Sequence, residues 1–410
     1  MGHVSAHCLA CGRPAPVVGV IACPACGGCL GFAYTDGEVR PDDGQDGPLW
    51  RWWRRLPVVD PRHFATLGEG GTPLLRPRLS YPVDLRLKDE GRNPTGSHKD
   101  RALAVAIAAA LAAGVRDSVV VSAGSTGLSH AAYCARAGVR STVLMSADAD
   151  PGRARLLCTY GARVVRVAAP IDPVIGAVEA LARERGLHTA STTRSSNPHQ
   201  AEGCKTIAYE LIERLGRAPD AVLVPTGGGG TIAALGRGFA ELAEAGAIAS
   251  IPRLIAIVPE RWNALELALE HGLDDGAGIA ALDFAAAPPT ILGKLCHAHP
   301  PDARAALASI RGSGGSVIGV SDAEALAGCE RLAREEGLFV EPSSGVVLPA
   351  LERLLADGRI RKGEQVAALL CGSGFRELPF LPPAAEAPPD PVPLERLPAL
   401  LLGNELITGG

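Results

Sequence analysis

NPTGSHKDRALAVAIAAALAAG, residues 93–114, joins a proline turn to a long run of strong helix formers and stops at a glycine. The pattern predicts a helix whose first turn contains Lys99. Ser97 is the expected N-cap, and Asp100, three residues on, the expected carboxylate of a capping box. A lysine fits this position poorly, because the positive end of the helix macrodipole disfavours a cation. It suits a nucleophilic amine, which acts in its neutral form. An ordinary surface lysine ahead of a helix is the other reading of this window, so the rest of the chain has to decide.

Working outward, short β-branched runs alternate with Ala-rich helical segments. VDLRLK, SVVVSAG, STVLMSA and ARVVRVA are each followed by a helical stretch, and AVLVPTGGGG, RLIAIVPE and QVAALLCGSG come later. That rhythm predicts βαβ units, hence an α/β fold with parallel sheets covered by helices on both faces. A chain of 410 residues has room for two or three domains of roughly 100 to 200 residues. Aromatics make up only 4%, which leaves Ala, Val and Leu to fill the core. A net charge of −4 argues against a general nucleic-acid binder, and no apolar run is long enough to span a bilayer, so no nucleic-acid or membrane partner is expected. The start, MGHVSAHCLACG, lacks the pattern of a secretory signal, and a cytoplasmic location is the expectation.

Five of the eleven cysteines fall within the first thirty residues. Cys8-x2-Cys11 and Cys23-x2-Cys26 supply four thiolates at the spacing of a tetrahedral zinc site, and Gly12 and Gly27 let each pair curl. Cys29 is left over, and His3 or His7 could stand in for one ligand. A site closed by four cysteines keeps no open position, so this zinc-ribbon-like module, residues 1–31, is expected to hold a structural zinc. Residues 32–80 read as an arm, whose WRWWRR run, Trp50–Arg55, is expected to pack onto the main body. Residues 81–378 form the main body, with a smaller domain at about 112–192. Residues 379–410, with eight prolines in the first twenty, read as an extended tail.

Ligands of open α/β sheets sit beyond the carboxyl ends of the strands. Three such ends are polar and rich in glycine. SAGSTG offers the hydroxyls of Ser122, Ser125 and Thr126 at a helix start, which suits a carboxylate. TGGGGT places Gly227, Gly228, Gly229, Gly230 and Thr231 where backbone N–H groups converge on a phosphate, without the GK[ST] of a P-loop. CGSG ends an apolar strand with Cys371 and Ser373. An amine, a carboxylate cradle, a phosphate cradle and a small neutral polar group together fit pyridoxal phosphate and an amino acid.

With these motifs the chain resembles pyridoxal-phosphate enzymes of the tryptophan-synthase-β fold type, and among them it is most similar to the threonine synthases. The likeness runs in order through LGEGGTPLL (67–75), KDEGRNPTGSHKDRA, SAGSTG, NPHQAEGCKT (197–206), PTGGGGT, EPSSG (341–345) and CGSG, roughly residues 65–375. It implies that Lys99 is the Schiff-base lysine and also the base that takes the α-proton. It implies that Gly227–Gly230 and Thr231 hold the cofactor phosphate, and that Cys371, with Ser373, faces the pyridine nitrogen. The substrate would lie against Ser122, Ser125, Thr126, Asn197 and Gln200. A homodimer is also implied.

Three departures stand out. Ser125 replaces an asparagine beside the cofactor's phenolic oxygen, and His98 replaces the usual phenylalanine, acting either as a second acid/base or as part of the cofactor wall. Gln200 stands where the family's NPxR motif has arginine, and a neutral amide cannot make the bidentate contact that favours phosphate. The implied activity is a threonine-synthase-like lyase acting on O-phosphohomoserine, with Arg194 a possible substitute cation. The alternative is a serine/threonine dehydratase or β-replacement enzyme on an unphosphorylated amino acid. Glu69 and Glu341 are either substrate-facing or structural.

Overall fold

The structure is a computed structural model and describes residues 3–35, 37–169, 171–273, 278–279, 281–282, 284, 287–377 and 391–397. Apart from 391–397, the proline-rich tail lies outside the described residues. Three strands open the chain: β1 (Val4–Cys8), β2 (Pro14–Ala15) and β3 (Leu30–Tyr34), antiparallel in the order β2-β1-β3. β3 pairs with β1 from Leu30 opposite Cys8 to Tyr34 opposite Val4. The module therefore runs past the expected boundary at residue 31, because the register needs the whole of LGFAY.

Two parallel layers follow. β4 (Leu74–Leu75), β5 (Asp84–Asp89), β10 (Ala221–Pro225), β11 (Arg253–Pro259), β12 (Ser316–Val320) and β13 (Gln365–Leu370) form a six-stranded sheet ordered β12-β11-β10-β13-β5-β4, in which only the edge strand β4 is antiparallel. Every residue of β10 and β13 is buried, as expected of central strands with helices on both faces. β6 (Asp117–Val121), β7 (Arg140–Ser146), β8 (Arg163–Val167) and β9 (His188–Thr189) make a four-stranded parallel sheet ordered β8-β7-β6-β9. In these two sheets, β4, β9 and β12 were not among the expected strands. The first two are two residues long, and SVIGV of β12 is interrupted by Gly319.

The helix Lys99–Ala112 is buried from Asp100 to Ala110, which its alanines permit on every face. It lies against the helix Ser125–Ala137 and the short turn Gln200–Gly203. Gly203 makes that last contact possible, since a Cβ there would stand 2.1 Å from the Arg101 carbonyl oxygen. The WRWWRR run forms a 3-10 helix that buries Trp50 and Trp52, with Trp52 against Tyr209 at 5.2 Å and Trp50 stacked on Phe64 at 4.0 Å. It joins the arm to the body, as its sequence suggested. Among the described residues no helix is long and apolar enough to cross a membrane.

Under the four-stranded sheet, His130 is fully buried between two serines. Its Nε2 lies 2.8 Å from Ser118 Oγ and its Nδ1 3.0 Å from Ser141 Oγ, and Ser118 Oγ also meets His188 Nδ1 at 2.8 Å. Burial pushes His130 down to about 3 and His188 to about 4. Both stay neutral in the folded chain, whereas the unfolded chain protonates them near 6.5. Their contribution to stability is therefore complete above pH 6.5 and is lost as pH falls toward those depressed values. A His130→Asn variant should lose stability less steeply than the native chain between pH 6 and 4, by about 1.4 kcal/mol per pH unit, in urea melts run across that range.

Candidate active site

Lys99 opens its helix, but the cap differs from the expected one. The N-cap residue is His98, Ser97 Oγ accepts the Lys99 N–H at 3.3 Å, and no capping box forms. Asp100 instead turns back to Thr95, accepting its N–H at 2.7 Å and its hydroxyl at 2.6 Å. Gly96, at φ +81°, folds the loop so that Thr95 comes within reach. Burial raises the Asp100 carboxyl to about 6.

Behind the lysine lies a fully buried ionic cluster. Arg101 donates to Glu90 from Nε at 2.7 Å and to Glu210 from Nη1 at 2.6 Å, and Lys88 Nζ reaches Glu210 at 2.6 Å. Thr72, Asn93 and Thr206 complete the set: the Thr72 hydroxyl donates to Glu90 at 2.6 Å, Asn93 Nδ2 donates to Glu90 at 2.8 Å, and Arg101 Nη1 donates to Thr206 at 3.0 Å. Burial alone would raise Glu90, but Arg101 and Lys88 overcome it and hold the carboxylate near 2. Two cations and two anions balance, so the cluster is tolerable in a dry interior. It ties LGEGGTP, KDEGRN, the Lys99 helix and EGCKT together.

In front, the strand-end loops converge on the lysine. His98 Nδ1 donates to the Cys371 carbonyl at 3.0 Å, and the Cys371 carbonyl also accepts the His98 N–H at 3.0 Å. His98 Nε2 is then left to accept from the Thr231 hydroxyl, at 3.2 Å. Burial, with the Lys99 charge added, drives His98 down to about 3, so the neutral imidazole this pairing needs is the stable one. The Lys99 ammonium is also felt at Cys371 and at Asp302. Burial raises the Cys371 thiol well above its ordinary range, which keeps it protonated and uncharged.

The glycine loop leaves no space for side chains. A Cβ on Gly227 would lie 2.6 Å from the Lys294 carbonyl oxygen, one on Gly228 3.2 Å from Pro301, and one on Gly230 2.9 Å from the Asp302 carboxylate, while Gly229 has φ +90°. The helix Gly230–Glu244 starts there, with Thr231 in its first turn. N–H groups at a helix start and a nearby lysine are the donor set of a phosphate-bearing aldehyde cofactor. Asp302 stands beside them, its carboxyl raised by burial against the opposing pull of Arg194 and Lys99.

The hydroxyl loop meets the body through Arg376, whose Nη2 donates to Ser125 Oγ at 3.0 Å and lies 3.4 Å from Glu341. Glu341 also takes Lys294 at 2.5 Å and the Ser343 hydroxyl at 2.6 Å, which gives it a structural place. Ser122 Oγ accepts the Gly124 N–H, and Ser373 Oγ accepts the Phe375 N–H. Asn197 spends its amide on backbone, donating to the Thr189 carbonyl and accepting the Gln200 N–H. Arg194 stands 3.7 Å from Glu202. Glu69 is fully buried; its Oε2 accepts from Tyr133 at 2.8 Å and its Oε1 has no hydrogen-bond partner among the described residues. Sequence reading passed over Arg101, Lys88, Glu90, Glu210, Arg376 and Lys294, because isolated charges in a sequence do not announce their partners. In the N-terminal module, the Sγ atoms of Cys8, Cys11, Cys23 and Cys26 all lie within 4.8 Å of one another.

A family model described as pyridoxal-phosphate dependent enzyme matches residues 65–372, from LGEGGTP to the strand end at Cys371. The chain belongs to that family. Similar proteins include the threonine synthase of Methanocaldococcus jannaschii, 33% identical and covering 93% of this chain and 95% of its own length. That of Methanosarcina acetivorans is 31% identical, over 89% and 90%. Among solved structures, O-ureido-L-serine synthase superposes with a TM-score of 0.62 at 22% identity, over 78% of this chain and 94% of that one. The processed form of threonine deaminase isoform 2 from Solanum lycopersicum gives 0.61 at 19% identity, over 75% and 85%. At those identities the structural likeness speaks for the fold.

Removing Arg101 would leave the two buried carboxylates of Glu90 and Glu210 with Lys88 alone to balance them. Arg101→Met should lower unfolding free energy by about 3–5 kcal/mol in urea titrations.

Proposed function

We propose that the protein is a threonine-synthase-type lyase that converts O-phosphohomoserine and water to threonine and phosphate. The observation that carries this reading is the 33% identity to a threonine synthase over 93% of the chain. Pyridoxal phosphate, when bound, supplies an electron sink for charge at the substrate's α-carbon. Lys99 holds the cofactor covalently and, once released, its amine removes the α-proton. Gly227–Gly230 and Thr231 grip the cofactor phosphate through N–H groups at the helix start, the Thr231 hydroxyl being given to His98 Nε2. His98, neutral and tethered at both ring nitrogens, sets Thr231 against the Cys371 strand end; its role is to position rather than to exchange protons. Cys371 offers the pyridine nitrogen an uncharged thiol, with Ser373 beside it. Ser122, Ser125 and Thr126 take the substrate carboxylate at the start of the helix Ser125–Ala137, while Gln200 lines the side-chain end and Asn197 holds the turn that carries it.

Residues 112–192 act in this reading as the smaller of two domains, and the active form is a cytoplasmic homodimer. The four clustered cysteines hold a structural zinc: four thiolates fill a tetrahedral shell and leave no position for chemistry.

One observation favours a second reading, a dehydratase acting on serine or threonine. Gln200 is a buried, neutral amide, so no guanidinium stands at that position to grip a phosphate. Purified protein carrying its visible cofactor band is to be incubated with O-phosphohomoserine, serine and threonine in parallel, with phosphate, threonine and 2-oxoacid assayed. Equal amounts of phosphate and threonine are expected. A 2-oxoacid from serine or threonine, with no phosphate released, would establish the dehydratase. Lys99→Ala should lose the band's covalent signature and lower turnover by roughly 10²- to 10⁴-fold.

A further inference from the structure

The cysteine module is built against the segment that carries Gln200. His199 is buried, and its Nε2 lies 2.6 Å from the Val17 carbonyl, while its ring stands 5.0 Å from that of Phe32. On the other side of Gln200, the Tyr34 hydroxyl donates to Glu202 Oε2 at 2.9 Å, and Lys205 Nζ sits 4.0 Å over the Tyr34 ring. The Phe32 carbonyl accepts from Arg237, which pairs with Glu202 at 3.2 Å. The chain on both sides of Gln200 is thus anchored to the module.

That anchoring matters because Gln200–Gly203 is a helical turn of four residues, too short to hold its own shape in water. The module is equally dependent on outside help. Its apolar core is two small clusters, Val4, Ala6 and Phe32 in one and Leu30 with Cys8 and Cys23 in the other, too little to fold a segment of this size without a metal. Val17 lies between the two cysteine pairs, so the position of its carbonyl follows from how those pairs are held together.

We propose that the cysteine module positions the substrate loop: the Val17 carbonyl and the Tyr34 hydroxyl fix His199 and Glu202, hence Gln200, and the metal-held shape of the module sets substrate affinity. The inference rests on Gln200 facing substrate, as assigned above.

The test uses the full-length, cofactor-loaded protein and reads the apparent Kd from the change in the cofactor absorbance band on titration with O-phosphohomoserine, alongside KM and kcat. Native protein is compared with Tyr34→Phe, with His199→Gln, and with protein stripped of zinc by a chelator, metal release being verified. Loss of one hydrogen bond to a buried carboxylate predicts about a tenfold rise in Kd and KM for Tyr34→Phe, with kcat within about twofold and the resting band unmoved. Stripping should raise Kd at least as far, and added zinc should restore it. A stripped protein that melts at a lower temperature but binds with native Kd would overturn the proposal, as would a native chain that holds no metal. If stripping precipitates the protein, the two variants decide, and an unchanged Kd in both overturns it. Should serine move the band and O-phosphohomoserine not, the substrate assignment falls, and the same native-to-variant ratio measured with serine still decides the role of the module.

Discussion

The buried charge cluster around Arg101 is the constraint on which the site depends. It joins segments far apart in sequence, Thr72, Lys88 and Glu90, Arg101, Thr206 and Glu210, two residues away from Lys99. A buried pair of this kind adds little net stability against an apolar alternative, since desolvation consumes most of the Coulomb gain. What it contributes is geometry, because a guanidinium fork accepts its carboxylates only in a narrow set of directions. The helix carrying Lys99 therefore has one rotation and one height relative to the six-stranded sheet.

In front of that anchor the site is assembled from neutral groups more than from charges. His98 and the Cys371 thiol, both shifted by burial, stay uncharged beside Lys99. The glycine loop with its helix start is placed to bring an anion to this lysine.

The α/β architecture and most of its strands were legible because a parallel sheet buried on both faces writes itself as apolar runs. Beyond the N-terminal module, the strands that escaped notice are two residues long or broken by a glycine, below what periodicity resolves. The glycine loop, Lys99 and the cysteine pairs were legible from residue types whose chemistry is local. The capping box was misread: Ser-x-x-Asp satisfies the spacing, but Gly96 bends the chain so that Asp100 finds Thr95 first. Arg101, Glu90 and Glu210 could not be recognised as a unit, since their partnership exists only across the fold. The same holds for His199 and Tyr34, which are 165 positions apart by numbering and meet around one short helical turn.

The alanines of the Lys99 helix have an entropic consequence. Ordering a buried side chain usually surrenders rotamer freedom, yet alanine has none to lose, so this helix is fixed at little cost beyond that of its backbone. For the same reason it has few side-chain degrees of freedom through which heat could loosen it. The lysine is mounted on a helix with little side-chain motion to spend, and adaptation to different ligands has to come from the loops that face it.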